Sequence, residues 1–146
     1  MELEYLFTRK IRELAILITK SRDADIRELG LTTAQADVIL YFAENPGKSI
    51  VDLKSFLGVT HQTARGIIQR MSDKGFLEIH SSSNDARYKQ ISLTEKAISV
   101  YNNMKKNGTR TGNQLLNGIS PEEKEKFLWA LNRGLENLGN GRKENH

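Results

Sequence analysis

The spacing of apolar residues changes period twice along this chain, and that double change restricts the fold more than any other feature. Up to Lys74-Gly75 the apolar residues recur at spacings of three and four, the period of a helix with one buried face. From Leu77 the period is two. Leu77 and Ile79 alternate with Glu78 and His80, while Ile91 and Leu93 alternate with Gln90 and Ser92. Between them lies a polar stretch from Ser81 to Lys89. Two short strands around a polar tip predict a β-hairpin whose loop is longer than a tight turn. At Thr94 the helical period resumes.

The helical stretches carry their own boundaries. Leu3, Leu6, Phe7, Ile11, Leu14 and Ile18 define a stripe that predicts a first helix over 3–22, followed by a charged tract that ends at Gly30. Thr32 with Gln35 three residues on forms a capping box for a second helix, which runs through Val38, Ile39 and Phe42 and stops before Asn45-Pro46-Gly47. Ser49 can cap a short third helix, with Ile50, Leu53, Phe56 and Leu57 facing inward. Gly58 makes a turn, and Thr60 caps a fourth helix over 61–74 whose inward positions are Ala64, Ile67, Ile68 and Met71.

After the hairpin, Ala97, Tyr101, Met104, Gly108, Gly112, Leu115 and Ile119 can share one face of a long fifth helix. Each glycine costs such a helix roughly 1 kcal/mol against alanine. The pattern leaves two readings open: a break near Asn107-Gly108, or a close approach by a partner helix. Ser120, Pro121 and Glu123 give the last helix a strong start signal, and Phe127, Leu128, Leu131, Leu135 and Leu138 form its stripe. The polar tail 139–146 is expected to be disordered. The fold class is therefore mainly α with a small β-hairpin.

Composition narrows the function. At 146 residues, with 38% hydrophobic and 27% charged, the chain reads as one soluble globular domain. It has no cysteine, which excludes disulfides, thiolate metal sites and thiol chemistry. No apolar run approaches the roughly 18 residues of a membrane span, and no signal peptide is evident, so a cytoplasmic location is expected by elimination. There is no Gly-rich phosphate loop, nucleophile elbow or metal-ligand cluster, and Glu122 and Glu123 are accounted for by capping. Neither an enzyme nor a cofactor is expected. His61, His80 and His146 lack metal-ligand spacing. The net charge of +4 favours polyanionic partners, because Lys and Arg neutralise phosphates and release counterions.

Position along the chain turns that weak preference into a specific one. A short helix, a glycine turn and a second helix make a helix-turn-helix. Opposite its core positions, the helix over 61–74 carries His61, Gln62, Arg65 and Gln69, with Thr60 and Thr63 near its start. Nearly all of these can donate or accept hydrogen bonds, as the reading of base edges requires. No acidic residue precedes Asp73 on this helix. The hairpin tip is followed by Arg87 and Lys89, and arginine suits the enhanced negative potential of a narrow minor groove. Asp85 can orient the Arg87 guanidinium by a charge-assisted hydrogen bond.

Several stretches in order resemble the MarR (multiple antibiotic resistance regulator) family: Leu31-Thr32-Thr33-Ala34-Gln35, Val59-Thr60-His61-Gln62-Thr63-Ala64-Arg65, Lys74-Gly75-Phe76-Leu77, Asp85-Ala86-Arg87 and Ile91-Ser92-Leu93-Thr94-Glu95-Lys96. The order of elements outside this core agrees. The resemblance implies a winged helix-turn-helix lobe at about 31–96 and a helical dimerisation region at 1–22 and 97–138, all within a single domain. It further implies a homodimer that binds pseudo-palindromic double-stranded DNA, most often as a repressor, and is released by a small aromatic effector. A serine run stands before Asp85 where relatives often carry Arg or Pro, and Ala97 stands where glycine is usual. No residue identifies the effector. The alternative is a winged-helix protein-interaction module, which would require an apolar or mixed outer surface on the fourth helix.

Overall fold

The computed structural model describes residues 2–80 and 89–144, with side chains up to 139. Six helices and one hairpin follow in order: α1 (Leu3–Glu28), α2 (Thr33–Glu44), α3 (Ile50–Leu57), α4 (His61–Asp73), β1 (Leu77–His80), β2 (Gln90–Leu93), α5 (Glu95–Leu115) and α6 (Pro121–Glu144). The chain divides into two compact units, Met1–Thr109 and Arg110–His146. No described helix is long and apolar enough to cross a membrane.

The first unit owes its core to the facing stripes of α2, α3 and α4. Val38, Ile39, Leu53, Ile68, Met71 and Ile91 are its largest fully buried side chains. Full burial of such a side chain is worth about 1.5–3 kcal/mol, so these residues fix how the short helices cross. The caps expected at Thr32 and Ser49 are present. Each side-chain oxygen accepts from the backbone N–H three residues on, and Gln35 and Asp52 return a bond to the cap backbone. Phe56 departs from expectation, since it is 56% exposed. An α3 of eight residues turns Ile50 and Leu53 inward, and Phe56 instead stacks on Tyr41 with ring centroids 4.6 Å apart.

The hairpin is antiparallel, with Leu77 opposite Leu93 and Ile79 opposite Ile91. These four share the face turned to the core, while Glu78, His80 and Gln90 are exposed, the alternation expected of a half-buried ladder. A further pairing, not visible in the sequence, lies on the outer side of β2. Ser49 forms an isolated antiparallel bridge with Gln90, and Ile91 N–H donates to the Lys48 carbonyl at 3.1 Å. The link between α2 and α3 thereby holds the returning strand.

Helix limits differ from the sequence reading in three places. α1 continues past residue 22 to Glu28, because the charged tract contains no breaker before Gly30 and regains an apolar anchor at the buried Ile26. α5 runs unbroken through Gly108 and Gly112, and Ile119, assigned to its stripe, lies beyond its end. α6 is traced to Glu144, past Gly139, where a disordered tail was expected. Glycine lowers helix propensity without blocking the hydrogen-bond ladder as proline does.

Much of the remaining apolar surface is uncovered. Leu3, Phe7, Ile11 and Leu17 on α1 are at least half exposed, as are Leu128, Trp129, Leu135 and Leu138 on α6.

Candidate nucleic-acid interface

α4 is the element on which the expected site residues converge. Gly58 precedes it at φ +67°, hydrogen-bonded to the Lys54 carbonyl at 3.0 Å. That left-handed conformation disfavours side chains bearing Cβ and directs the chain from α3 into α4. Thr60 is the N-cap. Its Oγ1 accepts from Thr63 N–H at 3.1 Å, and its hydroxyl donates to Thr63 Oγ1 at 2.9 Å. The helix start is thus ordered by its own side chains. With no acidic residue in the first turn, the partial positive charge of this helix end is uncompensated, which favours an approaching anion.

The two faces of α4 separate cleanly. Ala64, Ile68 and Met71 are buried, with Ile67 partly so. Gln62, Thr63, Arg65 and Gln69 are exposed, and His61 is half-buried at the first position. Gln62, Arg65 and Gln69 follow one another at intervals of three and four, so they form one stripe. Arg65 makes no ion pair among the described residues, leaving its five N–H donors available for a fork against guanine or phosphate. Gln69 is different. Its Nε2 donates to Asp73 Oδ1 at 3.0 Å, which places it beside a carboxylate at the far end of the helix.

The hairpin contributes less to the described site. Lys89 is half-buried immediately before β2. Asp85 and Arg87 lie outside the described residues. His80 is exposed, with its Nε2 2.7 Å from Ser92 Oγ and Glu78 Oε2 3.9 Å away.

Two supports behind the site were not apparent from sequence. Arg22 Nη2 on α1 pairs with Asp37 Oδ1 on α2 at 2.6 Å, and both are well enough exposed that the pair is worth less than about 1 kcal/mol. Behind α3, the Ser49 N–H bond, together with the Ser49 hydroxyl and Lys48, holds the Asp52 carboxyl below the usual range, against the opposing effect of its partial burial. Burial, reinforced by the Asp52 charge, pushes the Tyr41 phenol up. The capping box itself was the available signal for Asp52, three residues after Ser49.

A short helix, a left-handed turn, a second helix with a polar outer face, and an antiparallel hairpin behind it define a winged helix-turn-helix protein. Residues 29–87 match the model of the MarR family. The chain is 26% identical over 130 residues to the uncharacterized HTH-type transcriptional regulator YybA of Bacillus subtilis, covering 89% of this chain and 87% of that protein. In fold it is similar to a Staphylococcus aureus MarR in complex with salicylate and kanamycin, at a TM-score of 0.80 and 15% identity over 93% of this chain and 92% of that one. It is similar too to a putative MarR-family regulator from Listeria monocytogenes complexed with 26mer DNA, at a TM-score of 0.74 and 22% identity over 92% and 89% of the two chains. The chain is thus similar to MarR-family transcriptional regulators, by the family match over residues 29–87 and by its likeness along most of its length to an HTH-type regulator.

Proposed function

We propose that the chain is a sequence-specific repressor that acts in the cytoplasm as a homodimer and leaves its operator when a small aromatic effector binds. Two copies of α4 enter successive major grooves about 34 Å apart, so the operator is a pseudo-palindrome. His61, Gln62, Thr63 and Arg65 then face base edges near the leading end of the helix, with Thr60 presenting that end to phosphate. Gln69 and Lys89 lie toward the flanks, and Arg87, oriented by Asp85, occupies the adjacent minor groove.

The observation that carries this reading is the division of α4 into a buried apolar face and an exposed polar face led by an unneutralised helix start. A protein-interaction module would expose apolar side chains there instead. Dimerisation is supported by the uncovered apolar faces of α1 and α6, since contiguous apolar surface of that kind marks association. In this reading the lobe at about 31–96 reads DNA, and 1–22 with 97–138 supply the interface. The likeness to a fold that holds salicylate in a relative supports an aromatic effector.

The test is titration of purified protein onto the duplex upstream of its own gene and onto a scrambled duplex, at two salt concentrations. A preference for the native duplex that disappears in Arg87→Ala is expected, with affinity falling steeply as salt rises. Absence of binding at low salt refutes the reading, and a monomer by sedimentation at micromolar concentration refutes the dimer.

A further inference from the structure

The far end of α4 is held by a segment to which none of the site residues belongs. Three consecutive carbonyls at the close of α4 each accept a hydrogen bond from residues 94–96. Lys74 O accepts from Lys96 Nζ at 2.8 Å, Gly75 O from the Thr94 hydroxyl at 2.6 Å, and Phe76 O from Thr94 N–H at 3.1 Å. The Lys96 ammonium also lies 4.4 Å from the centre of the Phe76 ring, within cation–π range. Meanwhile Thr94 Oγ1 accepts from Ala97 N–H at 3.3 Å, so the same threonine caps α5 and grips the end of α4.

We propose that Lys96 is a positioning residue for DNA reading, one that fixes the aim of α4 by tying its C-terminal end to the first turn of α5. The chemistry suits the place. A helix C-terminus carries partial negative charge and unpaired carbonyls, and a cation answers both. Geometry makes the joint matter for specificity. α4 has 13 residues, which at about 1.5 Å per residue is a lever of roughly 20 Å. A tilt of about 5° at the Lys96 end moves the Gln62–Arg65 end by about 1–1.5 Å, more than the tolerance of a hydrogen bond to a base edge. Contacts to phosphate, made by long flexible cations, tolerate such a shift.

The proposal rests on α4 reading bases, and the test keeps the two ideas apart. A preferred duplex is selected from a random-sequence pool by the wild-type protein. Affinities for it and for a scrambled duplex are then measured over a range of salt for wild type, Lys96→Met and Lys96→Arg. Methionine keeps the apolar stem and removes the donor, whereas arginine can still donate to the Lys74 carbonyl. Lys96→Met is expected to lower the preference for the selected duplex about five- to tenfold, the order of one lost base contact, with an unchanged salt slope on the scrambled duplex. Lys96→Arg is expected to regain most of the preference. A Lys96→Met loss equal on both duplexes, with the salt slope shallower by about 0.9, makes Lys96 a phosphate contact and overturns the proposal. So does a preference unchanged in Lys96→Met while wild type discriminates. A wild type that does not discriminate at all overturns the base-reading role of α4, and this proposal with it.

Discussion

The same substitution, glycine to alanine, should act with opposite sign at two positions eight residues apart in the helix-turn-helix. Gly58 sits at φ +67° with nothing within 4 Å of where a Cβ would lie. The cost of alanine there is therefore conformational and not steric. Left-handed backbone costs an L-residue about 1–2 kcal/mol, offset in part by the 0.4–1 kcal/mol that alanine removes from the entropy of the unfolded chain. Gly58→Ala should destabilise by about 1 kcal/mol. Gly66 lies inside α4 without a positive φ, and an added Cβ would meet only Arg70 Nη1, at 3.8 Å. There alanine should stabilise by about 1 kcal/mol, the full difference in helix propensity.

For a chain of 146 residues, unfolding entropy of about 2.1 cal/mol/K per residue converts 1 kcal/mol to roughly 3 °C. The two variants should then melt about 6 °C apart, one on each side of wild type. Urea unfolding followed by far-UV circular dichroism checks the same difference, with the midpoint moving at constant slope. Gly58→Asn should fall between Gly58→Ala and wild type, because asparagine tolerates the left-handed region. A Gly58→Ala variant as stable as wild type would refute the assignment of that turn, and equal destabilisation at both sites would refute the division into turn and helix interior.

Other consequences are open to direct measurement. Arg65→Ala should cost about 1–3 kcal/mol on the preferred duplex and relax one base position, whereas an equal loss on all sequences would assign Arg65 to phosphate. Asp52→Ala should lower stability by about 1 kcal/mol through loss of the α3 capping box. Because the folded-state carboxyl is held below its ordinary value of 3.8, that advantage is fully present above this pH and lost as pH falls through the folded-state pKa. The melting difference between Asp52→Ala and wild type should shrink in acid; a constant difference down to low pH would show that the carboxylate is not responsible. Leu135 is 71% exposed on α6, so Leu135→Glu should be harmless to an isolated chain but weaken a dimer that buries this face at least tenfold. Sedimentation equilibrium reads this directly, and unchanged association would remove that face of α6 from the interface.

What the sequence disclosed was whatever is encoded locally. Thr32, Ser49 and Thr60 announced helix starts because a cap and the residue three positions later suffice to close the motif. The outer stripe of α4 was legible for a similar reason, as helical spacing alone puts Gln62, Arg65 and Gln69 opposite Ala64, Ile68 and Met71. Contacts between distant segments were not legible. The Ser49–Gln90 bridge is one residue pair long and so has no period to read. The grip of Thr94 and Lys96 on residues 74–76 depends on the hairpin register, which brings those segments side by side. Arg22 and Asp37 are 15 residues apart on two different helices, and the period of neither helix says which of its side chains will face the other. Phe56 misled because its spacing fits an inward stripe, while the brevity of α3 leaves room for fewer inward side chains.

The bridge at Gln90 also bears on how the chain avoids unwanted polymerisation. A two-stranded sheet has two outer edges, each a row of backbone groups that can recruit a strand from another molecule. Here the outer side of β2 is partly occupied from within the chain by Ser49 and by the bond from Ile91 to Lys48. β1 is only four residues long and carries the exposed polar side chains Glu78 and His80, both poor templates for a growing ribbon. Neither edge invites an open-ended stack. In the proposed homodimer, association falls instead to the apolar helix faces, which a closed pair can cover.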